Sequence, residues 1–123
     1  MKYEVEKWRR TLEFIKEENL ILKNRLAEMI HLNSNKHLFS QAEDFQNYFL
    51  NNDVIIAMLK SDILKHEQLM SKGTEDEASY KKIQKSQQIL RGDMDKLEKS
   101  FSKLDIDFNT FMDDATTEYQ LMV

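Results

Sequence analysis

From Tyr80 to Met122 the apolar residues recur at alternating spacings of three and four. One series holds Tyr80, Gln87, Met94, Phe101, Phe108, Ala115 and Met122. The other holds Ile83, Leu90, Leu97, Leu104 and Phe111, and is interrupted only at Glu118. An α-helix places residues with this spacing on one stripe, whereas a strand would scatter them over both faces. A helix standing alone would leave that stripe in water, so the segment requires neighbours that cover it.

The same period runs through the rest of the chain. From Met1 to Ile30 one seam holds Val5, Leu12, Asn19 and Leu26, and the other holds Met1, Trp8, Ile15, Leu22 and Met29. Phe14, Leu20, Ile21 and Ile30 widen the apolar face, as suits a helix with more than one neighbour. Asn33, Ser34 and Asn35 then interrupt the pattern with side chains that compete for backbone hydrogen bonds. Ser40 and Glu43 have the spacing of a capping box, which predicts a second helix over about 40–71. Its seams are Ala42, Phe49, Ile56, Ile63 and Met70, with Phe45, Asn52, Leu59 and His66. Asn51, Asn52 and Asp53 are poor helix formers, yet the register passes through them, which predicts one continuous helix. Gly73 supplies a left-handed stop, and Thr74 with Glu77 forms a second capping box that starts a third helix over about 75–122.

The chain has no proline and two glycines, with 41% hydrophobic and 33% charged residues, a composition that favours long packed helices over disorder. Short connections make successive helices antiparallel. The expected fold is all-α: a single domain over 1–123, an up-down-up three-helix bundle with coiled-coil-like heptad packing and a long third helix. A break of the third helix near Asp105 would instead give a compact four-helix monomer. No family motif is present. In outline, three long antiparallel helices with a tryptophan in the first are similar to a spectrin-type repeat, a likeness of helix lengths that implies fold alone.

Folding the first two helices about a turn near Asn35 sets Asn19 opposite Asn52, both on seam positions. A buried asparagine pair costs stability but fixes register, because a slipped pairing leaves amides unsatisfied. The helix lengths also leave the third helix overhanging that turn. The overhang carries Phe111, Met112, Tyr119, Leu121, Met122 and Val123, an apolar surface that either folds back over the turn or is covered by a second chain, a homodimer first and a different protein next.

Several function classes are disfavoured. Without cysteine there is no disulfide, thiolate metal site or cysteine nucleophile, and a reducing compartment is expected. A net charge of −4 lacks the cationic surface that nucleic acid requires. No run of 18 apolar residues spans a membrane, and no apolar stretch near the start serves as a signal peptide, so the expected location is the cytoplasm. The acidic end, with Asp105, Asp107, Asp113, Asp114 and Glu118, reads as a solvated helix face.

Glu28 and His31 have the spacing of a di-iron bundle motif, but neither His37 nor His66 provides the second copy that such a site needs. Asp105, Asp107 and Asn109 open like a calcium loop, but Thr110 and Thr116 stand where glycine and glutamate are required. Asp62 and His66 lie one helical turn apart, as a general-base pair would, without any accompanying nucleophile. The expectation is a non-enzymatic interaction or scaffold protein that self-associates and needs no cofactor. The alternative is a metal- or small-molecule-binding bundle with catalytic activity built on Glu28, His31 or His66.

Overall fold

Three helices carry the chain: α1 (Lys2–Leu32, 31 residues), α2 (Lys36–Ser71, 36 residues) and α3 (Glu77–Met122, 46 residues). The computed structural model describes residues 2–32, 36–73 and 76–122, with side chains described as far as Thr116. Among the described residues there is no strand. Cross-helix contacts set the directions. Glu13 meets Lys60 and Lys23 meets Asp53, so α1 and α2 are antiparallel. Phe45 meets Phe108 and His66 meets Gln87, so α3 reverses α2 and runs parallel to α1. The result is the up-down-up bundle that the heptads predict. Helix α2 packs closely on both neighbours, whereas α1 and α3 approach each other less closely.

The helix ends follow local chemistry. Gly73 has φ 89°, in the left-handed region that favours glycine, and its N–H donates to the Met70 carbonyl at 3.1 Å. Thr74, expected to cap α3, lies outside the described residues. Asp76 occupies the capping role: the Ser79 N–H donates to its Oδ1 at 2.6 Å. That backbone hydrogen bond holds the Asp76 carboxyl below its usual range.

Two expectations need adjusting. Helix α2 starts at Lys36 rather than near Ser40, so Ser40 and Glu43 sit inside the helix and do not form a starting capping box. The physical reason is the seam itself, which reaches back to Leu38, 3% exposed and packed in the core ahead of Ala42. Burying that turn outweighs the local preference of serine for a helix start. Helix α3 runs unbroken past Asp105 to Met122, so the four-helix alternative is not adopted.

The core follows the predicted seams. Val5, Trp8, Leu12, Ile15, Leu22 and Leu26 of α1 face Phe49, Ile56, Leu59 and Ile63 of α2 and Leu90, Met94, Leu97 and Phe108 of α3. Its densest part is aromatic. Phe108 lies edge-on to both Phe45 and Phe49, with centroids 5.4 and 5.1 Å away, and Phe111 packs on Phe45 at 5.0 Å. The Arg25 guanidinium lies 5.5 Å above the Phe108 ring and donates from Nη1 to Asn109 Oδ1 at 2.9 Å.

Candidate interaction surface and polar layers

The structure brings Asn19 and Asn52 together in one layer. Asn52 Nδ2 donates to Asn19 Oδ1 at 3.5 Å, and Asn19 is fully buried. The shorter bonds of Asn19 go elsewhere: its Nδ2 donates to the Phe49 carbonyl at 2.9 Å and to Asp53 Oδ1 at 2.8 Å. Lys23 Nζ then holds Asp53 Oδ2 at 2.6 Å. The layer therefore has four members. Asp53 and Lys23 were not evident from the heptads because both sit beside the seam rather than on it.

A second polar layer joins all three helices. His66 is fully buried, with Nδ1 2.7 Å from Ser86 Oγ and Nε2 bonded to Gln87 Oε1. Gln87 Nε2 donates to Glu4 Oε1 at 2.6 Å. With the Gln87 oxygen turned toward the ring, the His66 Nε2–H donates to it, and Gln87 Nε2 passes the chain on to Glu4. Arg91 closes the chain from outside: its Nε and Nη2 donate to the two Glu4 oxygens at 2.9 and 2.8 Å. This fork lowers the Glu4 carboxyl from 4.5 to about 2, against the opposing effect of partial burial and with further help from Gln87. Both nitrogens of His66 are thus engaged by α3, and an Asp62–His66 pair is not formed.

The other candidate residues have plain placements. Glu28 and His31 are exposed near the end of α1. Glu28 lines a cleft of about 290 Å³ with Arg25, Met29, Leu32, Met112, Ala115 and Thr116. Asp105 and Asn109 lie within α3, where Asn109 Nδ2 donates to the Asp105 carbonyl at 2.9 Å, a helical arrangement rather than a calcium loop. No group of three or more histidine, aspartate or glutamate side chains able to hold a metal occurs among the described residues.

The expected contact surface on α3 is rearranged. Phe111 is 8% exposed and belongs to the core, and Met112 is half-buried against it. Phe45 of α2 packs on the Phe111 ring with Leu38 lining the same groove, whereas Met112 lines a cleft with Met29 and Leu32 of α1. Tyr119, Leu121 and Met122 lie on the last turns of α3, where side chains are outside the described residues.

Among the described residues, α2 carries an apolar stripe that remains uncovered. Leu50, Val54, Ala57, Ser61 and Leu64 recur at spacings of four and three, forming a second stripe apart from the core seam. Leu50, Val54 and Leu64 are 49%, 57% and 54% exposed. The stripe is a crest between two grooves: Ala57 borders the groove shared with α1, and neighbouring Met58 borders the groove shared with α3. Its positions from Gln46 to Leu64 carry no charge in a chain where 33% of residues are charged. The nearby Asp53 and Lys60 instead pair with Lys23 and Glu13 of α1. The signal for this surface was present in the spacing, but the core seam of the same helix dominated it.

The fold class is an antiparallel three-helix bundle with polar layers at two levels and an uncovered apolar crest on α2. No protein family, curated protein or solved structure matches this chain. Among the described residues, no helix is long and apolar enough to cross a membrane.

Proposed function

We propose that this chain is a non-enzymatic interaction or scaffold module that works through protein–protein contact, self-association foremost. The observation that carries the reading is the two-sided apolarity of α2. One side fills the bundle core, and the other presents exposed leucine and valine at helix-packing spacing. Helix α1 has exposed Tyr3, Phe14, Ile21 and Leu32, but Arg10, Glu17, Arg25 and Glu28 separate them along the same face. Among the described residues, only α2 offers an uncharged stripe of useful length. A cysteine-free chain suits a reducing compartment, and the module is assigned to the cytoplasm on that ground.

The test is solution mass by multi-angle light scattering and sedimentation equilibrium over a wide concentration range. A concentration-dependent rise from 14.7 kDa toward twice that mass is expected. A single monomer mass up to millimolar protein would remove self-association from the reading.

A further inference from the structure

We propose that two copies of this chain pair through the outer crest of α2, antiparallel, with the two-fold axis beside Ala57. The proposal rests on the self-association reading and specifies its surface and geometry. A two-fold interface must be self-complementary: whatever one residue meets, its counterpart meets in return. About Ala57 the leucines and glutamines of the crest have that property, while Val54 and Ser61 fall opposite the second copy's Lys60 and Asp53, charges that α1 already pairs. Leu50 and Leu64 stand seven residues to either side, and Gln46 and Gln68 stand eleven to either side. In an antiparallel pair centred on Ala57, Leu50 packs against the second copy's Leu64, and Gln46 lies opposite the second copy's Gln68, where two amides bond reciprocally.

The ends of the crest favour the same orientation. Glu43 lies beyond Gln46 at one end, and Lys72 lies beyond Gln68 at the other, both exposed. Antiparallel pairing brings Glu43 to the level of the second copy's Lys72, at both ends at once. A parallel pair would set glutamate against glutamate and lysine against lysine, which is repulsive at each end. The smallest apolar side chain of the stripe is Ala57, at the axis. Interaxial distance depends on side-chain size at the contact, so alanine there allows the close approach that lets the leucines interlock. A different protein partner would require none of this symmetry.

The chain has no cysteine, so engineered thiols report the geometry without background. Ala57→Cys alone, oxidised after its mass is measured, is expected to form a disulfide-linked dimer. Gln46→Cys alone is expected not to, because its two thiols would lie roughly 33 Å apart along the axis. Mixing Gln46→Cys with Gln68→Cys chains should yield the crosslinked heterodimer. Leu64→Glu should weaken association at least tenfold with helical content unchanged. If the chain dimerises but Leu64→Glu leaves the dissociation constant unchanged, or Gln46→Cys crosslinks to itself, the antiparallel crest is wrong while self-association stands. If the chain is monomeric throughout, both fall together.

Discussion

The Arg91 guanidinium grips the Glu4 carboxylate through two hydrogen bonds of 2.9 and 2.8 Å, joining the first turn of α1 to α3 across 87 residues of sequence. These are the two helices that approach each other least closely, so a charge-assisted fork holds them where packing contributes less. The same carboxylate orients Gln87, and Gln87 in turn satisfies the buried His66 ring.

That fork makes stability depend on acid. The folded Glu4 carboxyl titrates at about 2 instead of 4.5, so its contribution is complete above pH 4.5 and is lost as pH falls from about 4.5 toward 2. Glu4 is 29% exposed, and screening reduces the effect to about 1 kcal/mol. Urea melts of the native chain and Glu4→Gln should differ by that amount at pH 7 and converge near pH 2. A difference independent of pH would show that the carboxylate charge is not the source.

Asn19 and Asn52 should behave as a coupled pair. Replacing Asn19 alone with leucine leaves the Asn52 amide in an apolar layer and withdraws a donor from Asp53, at a cost of about 1–3 kcal/mol. Replacing both with leucine should cost less than the two single changes summed, because no unmatched amide remains. The check is a double-mutant cycle by chemical denaturation. Strict additivity would mean that the 3.5 Å contact carries no energy.

Phe111→Ser should act on the fold. The ring packs on Phe45 inside the bundle, so truncation removes core contacts and buries a hydroxyl, destabilising by about 3 kcal/mol. Thermal melts followed by far-ultraviolet circular dichroism should show a large drop in midpoint. An unchanged midpoint with altered solution mass would return Phe111 to an association surface.

Gly92→Ala should stabilise. Gly92 lies within α3, and an added Cβ would meet nothing within 4 Å. Alanine there lowers the chain entropy lost on folding, a gain of about 0.5–1 kcal/mol. A rise in melting temperature of about 4 °C is the expected size. A fall would indicate that the helix needs local flexibility at this position.

Much of this architecture was legible in the chain. Periodic seams alone specified three helices, their order and most of the core, because a stripe of apolar residues must be covered wherever it occurs. The Asn19–Asn52 layer followed from folding two seams about one turn. The second stripe on α2 was also legible, since Leu50, Val54, Ala57 and Leu64 keep helical spacing. What it could not reveal was that no neighbour within the bundle covers them.

Other features belong to tertiary structure alone. Whether Phe111 is core or surface depended on the offset of α3 along α2, which sets its ring on Phe45 and which no local signal decides. The pairing of Glu4 with Arg91, and of Asp53 with Lys23 and Asn19, involves residues distant in sequence and off the seams. Heptad spacing specifies which side of a helix is buried. The polar partners at its margins depend on the rotation and offset of whole helices, which are settled only when all three pack together.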